Sequence, residues 1–172
     1  ASTGHEQHVF EMGRHFLSVS PSGKLLATTG DGPDSKPAVC IWDVAPIKLR
    51  WHQPDPRNEI ASWRVAFSPD DSRLAAGGFD GRVMVWDTTT KETRFDQKRH
   101  NYQVFDIEFS ANGEWLASCS SLWRADGTGR KETMGFLSVV NLKESEKSYY
   151  VDEVSLEVRG IAFSPERETL AI

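Results

Sequence analysis

Four stretches of the chain repeat one arrangement of apolar and polar positions. They are FLSVSPSGKLLAT from Phe16, WRVAFSPDDSRLAA around Phe67, VFDIEFSANGEWLAS around Phe109 and VRGIAFSPERETLAI around Phe163. A serine anchors each one: Ser20, Ser68, Ser110 and Ser164. Three residues before the anchor stands Leu17, Val65, Ile107 or Ile161, and one residue before it Val19, Phe67, Phe109 or Phe163. Six and seven residues after it comes a Leu-Ala pair: Leu26-Ala27, Leu74-Ala75, Leu116-Ala117 and Leu170-Ala171. Short apolar runs punctuated by Pro, Gly, Asp and Ser predict strands and turns.

The second copy shows the full unit. It predicts a strand over Arg64–Ser68, a turn at Pro69-Asp70-Asp71, and a strand over Arg73–Gly77. Asp80-Gly81 makes a tight hairpin turn into a third strand, Arg82–Trp86, closed by Asp87-Thr88-Thr89. A more polar fourth strand follows at Thr93–Gln97. The third strand is apolar at Val83, Met84, Val85 and Trp86, so both of its faces need covering. A sheet standing between two neighbouring sheets meets that need.

The anchors lie 48, 42 and 54 residues apart. The first copy carries an excess of 4 residues between anchor and third strand, and the third copy an excess of 12. With these removed the period is 44, 42 and 42, which is the ~40–45-residue period of a four-stranded propeller blade.

Gly77-Gly78-Phe79-Asp80-Gly81-Arg82-Val83-Met84-Val85-Trp86-Asp87 resembles the second strand, turn and third strand of a WD40 repeat without a gap. Val39-Cys40-Ile41-Trp42-Asp43 is a second copy of the Trp-Asp ending, and Val139-Val140-Asn141 stands where the third copy should have it. The resemblance covers residues from about 10 to 172 and implies an all-β fold, a WD40-type β-propeller made of four-stranded antiparallel blades. In that reading residues 1–15 are the lead-in from a preceding blade. Residues 16–59, 60–101 and 102–155 are blades 1, 2 and 3, blade 3 carrying a long insertion over 121–134, and residues 156–172 begin a fourth blade. Propellers close with 4–8 blades, so three blades and the start of a fourth imply a piece of a longer chain, or a ring completed by a second subunit.

The family often knits a blade with a hydrogen-bonded set that includes a His before the first strand, the turn Asp and the third-strand Trp. The resemblance carries structural roles onto Trp42 with Asp43, onto Asp80, Trp86 and Asp87, and onto His100. No copy holds the whole set: Asn58 occupies the His position of blade 2, and blade 3 lacks the Trp.

In such a propeller the turns between second and third strands share one face with the links between blades. Three long segments map there: Asp31–Pro37, Ser121–Met134 and Pro54–Glu59. Loops on a rigid scaffold concentrate recognition. The family's frequent contact positions fall here on Gly13 and His15, Ala61 and Trp63, Gln103 and Phe105, Glu157 and Arg159, and Phe79. From these come the expected partner-binding residues His15, Trp63, Phe79, Phe105 and Arg159, extended by Trp123 in the insertion, as an aromatic hot-spot cluster.

Charge and composition narrow the partner. The net charge of −5 and pI near 5.5 argue against a nucleic-acid backbone, which wants a basic face. The run Lys98-Arg99-His100 is short and reads as a solvated loop. No stretch approaches the ~20 apolar residues of a membrane span. Cys40 and Cys119 sit inside apolar runs and read as buried small hydrophobes, in keeping with a cytoplasmic location.

No phosphate-cradling G-x-x-x-x-G-K-[ST] loop and no G-x-S-x-G elbow occur. Asp31 with Asp34, and Asp70 with Asp71, read as turn residues. His5, His8 and His15 are incidental, so no metal and no cofactor are expected. The chain reads as a non-catalytic scaffold binding a protein or peptide. The alternative is an accessory or sensor propeller segment of a larger signalling ATPase, kinase or peptidase.

Overall fold

The computed structural model describes residues 14–54, 64–125, 131–144, 146–154, 157–166 and 169–172. Its regular elements there are all strands. The first sheet contains β1 (Arg14–Val19), β2 (Leu25–Asp31), β3 (Pro37–Val44) and β4 (Ile47–Pro54). The second contains β5 (Arg64–Phe67), β6 (Arg73–Gly77), β7 (Arg82–Asp87) and β8 (Thr93–Lys98). The third contains β9 (Val104–Phe109), β10 (Trp115–Ala125), β11 (Lys131–Asn141) and β12 (Ser148–Val154), and a short pair follows, β13 (Ala162–Phe163) and β14 (Leu170–Ala171). In each four-stranded sheet the strands lie side by side in chain order, every pair antiparallel.

The structure explains why the anchors are serines. In the three full sheets the anchor follows the first strand and is buried: 3% exposed at Ser20, 0% at Ser68 and 4% at Ser110; Ser164 is half-buried. The anchor N–H donates to the carbonyl five residues on, in all four copies. In the three full sheets its Oγ also accepts the N–H of that same residue: Leu25, Arg73 or Trp115. A short hydroxyl thus closes the turn from both sides, as Ser does in side-chain-stabilised turns. Three residues after the anchor the backbone turns left-handed, at Gly23, Asp71 and Gly113. Of the three full sheets only the second places a residue with a Cβ there. Asp71 uses its side chain to reach the first sheet, accepting from Ser20 Oγ at 3.0 Å and from Ser22 N at 3.3 Å.

Packing follows strand alternation. In β3, Val39 and Ile41 face the second sheet, while Ala38, Cys40 and Trp42 lie on the opposite face. In β6 and β7, Leu74, Ala76 and Trp86 pack toward the first sheet, and Ala75, Val83 and Val85 toward the third. Trp51 and Trp86 meet edge to face across the first interface, 6.1 Å between centroids. A third apolar cluster joins Ala117 and Cys119 to Val158 and Ile161 beside the last strand pair. The first strands of successive sheets, β1, β5 and β9, lie against one another, so the sheets fan out from a common side.

The 121–134 segment departs from the loop reading. The ladder of β10 and β11 runs unbroken from Trp115↔Asn141 to Ala125↔Lys131, whereas β9 pairs only as far as Ser120. The insertion is therefore largely a two-stranded arm that prolongs the sheet. Ser121 clamps its base: Oγ accepts the Val158 N–H at 2.8 Å and donates to the Val158 carbonyl at 2.7 Å.

The family-derived structural residues are distributed as follows. Trp42 Nε1 donates to Thr28 Oγ1 at 3.0 Å, and Asp43 pairs with Arg50 at 2.6 Å. Asp80 accepts the Arg82 N–H at 3.0 Å. Trp86 is 1% exposed. Asp87 accepts the N–H groups of Thr89 and Thr90, which hold its carboxyl down at about 2. His100 is buried, with Nε2 2.8 Å from Ser118 Oγ. Thr28 and Ser118 both stand eight residues after their anchors, where the second sheet has Ala76.

Candidate functional site

The face formed by the second-to-third-strand turns and the inter-sheet links is organised around one tight turn. Gly78–Gly81 closes β6 onto β7. Gly81 has φ of +80° and its carbonyl accepts the N–H groups of Arg99 and His100, both at 3.0 Å. The Gly78 carbonyl accepts the Val104 N–H at 3.1 Å. The turn is thereby fastened to the link between the second and third sheets. Phe79, at its tip, is 58% exposed.

Along the first strands, cations and rings alternate from sheet to sheet. The Arg64 guanidinium lies over the Phe16 ring at 4.3 Å, and its Nε donates to the Phe105 carbonyl at 2.6 Å. Arg159 lies over the Phe105 ring at 5.6 Å and pairs with Glu157 at 2.5 Å. Beside it, Asp106 Oδ2 accepts the Ile161 N–H at 3.1 Å and Glu108 Oε2 the Phe163 N–H at 3.0 Å. Burial raises the Glu108 carboxyl above its usual range. Apart from the Arg159–Glu157 pair, each contact crosses a boundary between sheets, so the line stiffens the face while leaving Arg159 exposed.

Of the expected partner-binding residues, Phe105 and Arg159 are brought together. Phe105 is half-buried against the third apolar cluster, so its ring supports Arg159 from below. Phe79 occupies the turn, with no ring contact among the described residues. His15 lies in β1 and Trp123 in β10 opposite Thr133, but their side chains fall outside the described set, as does all of Trp63. Arg64 and Phe16 were missed by the sequence reading. Both stand four residues before their anchors, next to the positions that were taken.

The chemistry of the described residues is that of a surface. No group of three or more His, Cys, Asp and Glu among them is placed to hold a metal ion. His5 and His8 lie outside them. Asp70 is occupied by Ser68 and Ser72, whose hydrogen bonds hold its carboxyl below the usual range. Cys40 and Cys119 are free and buried, and burial pushes the Cys119 thiol up to about 12. No helix of the described residues is long and apolar enough to cross a membrane.

The model of the family "WD domain, G-beta repeat" matches residues 49–87 and 91–130. The chain carries WD40 repeats. The first matched stretch begins in β4 and runs through β5, β6 and β7, and the second begins just before β8 and runs through β9 and β10. The four-stranded sheets are thus blades offset from the repeat by one strand. The chain is 30% identical to protein HIRA of Gallus gallus, over 60% of the chain and 13% of that protein. It is 30% identical to WD repeat-containing protein VIP3 of Arabidopsis thaliana, over 55% of the chain and 32% of the relative. WD repeat-containing protein SL1-17 of Schistosoma mansoni is 26% identical over 90% of the chain and 45% of its own length. The chain therefore spans less than half the length of each of these WD40 relatives.

Proposed function

We propose that the chain is part of a non-catalytic scaffold that docks a protein or peptide on the face carrying Phe79, Phe105 and Arg159. The observation that carries this reading is the alternating line Phe16, Arg64, Phe105, Arg159, which braces an exposed cation on a ring across three blade boundaries. Aromatic and Arg side chains on a rigid base dominate protein interfaces because little conformational entropy is lost on binding. His15, Trp63 and Trp123 extend this docking surface in the same reading. A folded peptide surface is favoured over nucleic acid by the net charge of −5.

The test places a photo-crosslinking residue at Phe79 and, as control, at Thr90, an exposed residue of the turn that follows β7. Adducts to one partner should form from position 79, fall several-fold in an Arg159→Ala background, and be absent from position 90. Equal adducts from both positions would refute the docking face. A second reading, an accessory segment of a larger multidomain protein, is favoured by the 13% coverage of the HIRA relative. A catalytic module on the same polypeptide would decide for it.

A further inference from the structure

The run Lys98-Arg99-His100 is not the solvated loop that its composition predicts. Only Lys98 is exposed; Arg99 is half-buried and His100 is 2% exposed. With Asn101 and Tyr150 the three line an open pocket of about 420 Å³ between the outer strands β8 and β12. Arg99 is held in place by Ser138 Oγ, which accepts from Nε at 2.9 Å, and by Gln97 Oε1 at 3.3 Å. His100 stacks obliquely near Tyr150, 6.2 Å between centroids.

Two features of this pocket are costly as they stand. Neither Lys98 nor Arg99 has a carboxylate partner among the described residues, whereas Arg50, Arg82, Arg94 and Arg159 each do. A half-buried guanidinium without a counter-charge is unfavourable. Nδ1 of His100 is buried with no hydrogen-bond partner, and such a group in a folded protein calls for an explanation. An anion in the pocket answers the first of these directly. It supplies the missing negative charge, and it accepts from the Arg99 fork, the Lys98 ammonium and the Asn101 amide.

We propose that the pocket lined by Lys98, Arg99, His100, Asn101 and Tyr150 binds a phosphate group. Two cations match the charge of about −1.5 to −2 that a phosphomonoester carries near neutral pH, and Arg offers the planar fork that suits a phosphate. A carboxylate carries half that charge. The site is set by the outer strands, away from the Phe105 and Arg159 cluster on the inner strands, so it stands or falls independently of the docking face.

The experiment is a titration of the whole 15N-labelled chain with inorganic phosphate at constant ionic strength, reading the amides of Arg99, His100, Asn101 and Tyr150. Sodium chloride serves as the blank and acetate as the carboxylate arm. Saturable shifts are expected with phosphate, with acetate at least about fivefold weaker. Arg99→Gln should weaken binding roughly tenfold, the loss of one charge-assisted contact. Lys98→Gln, an exposed change that leaves the fold alone, should weaken it about threefold. A phosphoserine peptide flanked by alanines, binding tighter than inorganic phosphate, would assign the ligand to a phosphorylated partner; equal affinity would assign it to a free anion. Shifts no larger than those with chloride, acetate binding as tightly as phosphate, or affinity unchanged in Lys98→Gln would overturn the proposal.

Discussion

Blades 2 and 3 each open with a first strand that ends in the same serine-closed turn, yet they finish their second hairpins in opposite ways. In blade 2 the connection is the four-residue turn Gly78–Gly81, pressed against the link that enters blade 3. In blade 3 the strands run on past the sheet as a ladder to Ala125↔Lys131. The fastening differs in kind. Blade 2 is sealed by backbone groups converging on two carbonyls, and the arm of blade 3 is held at its base by the hydroxyl of Ser121. Of the family set, blade 2 keeps Asp80 and Trp86, while blade 3 keeps His100, which bonds Ser118. Neither half suffices for the whole set, yet both blades pack, because the apolar clusters on either side supply the main stabilisation.

The strongest way to break this contrast is Gly81→Ala. An added Cβ would meet the His100 carbonyl oxygen at 2.0 Å and would sit at φ of +80°. Strain and overpacking together should cost about 4 kcal/mol, measured as a loss of denaturation midpoint, or prevent folding. A cost below about 1 kcal/mol would mean that the turn is not sealed as described.

The next effect belongs to blade 3 and depends on pH. Burial, helped by the neighbouring Arg99 charge, lowers the His100 imidazole from 6.5 to about 4. The unfolded chain therefore binds a proton that the folded chain refuses between pH 6.5 and 4. Stability from this group is complete above pH 6.5 and falls as pH drops toward 4, by up to about 3 kcal/mol. Denaturation in phosphate-free buffer across that window, with His100→Asn as reference, should show this slope in the native chain and a shallower one in the variant. Equal slopes would remove the buried neutral histidine from the account.

The smallest of the three changes tests the arm. Ser121→Ala leaves Val158 N–H and C=O without their side-chain partner in a buried place, and should cost about 1–2 kcal/mol. Amide exchange should quicken at Leu122 and Met134 while the core of blade 2 is unmoved. Uniform loss of protection in both blades would show that the arm and the blade are one cooperative unit.

Much of the fold could be read from the residues because it rests on short-range chemistry. The serine anchors announce turns, the unbroken apolar runs of β3 and β7 announce sheets covered on both faces, and the period announces blades. Three features lay beyond that reach. The arm looked like a loop because Asp, Gly, Thr and Lys residues at its centre hid the strand-like stretches on either side. The basic run looked solvated because burial of Arg99 and His100 depends on Ser138 and Tyr150, some 40 and 50 residues on. The Phe16 and Arg64 contact was missed for a geometric reason: neighbours on one strand point to opposite faces, and a register position does not reveal which side chain crosses to the next blade.

The one-strand offset between repeat and blade has a practical meaning for anyone recombining these modules. A cut made where a sequence repeat ends, after Asp87, would strip β8 from its blade and expose β7 as a bare edge. A cut in the link between β8 and β9 would spare every ladder. Interchangeable cassettes in this molecule are therefore defined by hydrogen-bonded neighbours, and a graft should be drawn on the sheet before it is drawn on the sequence.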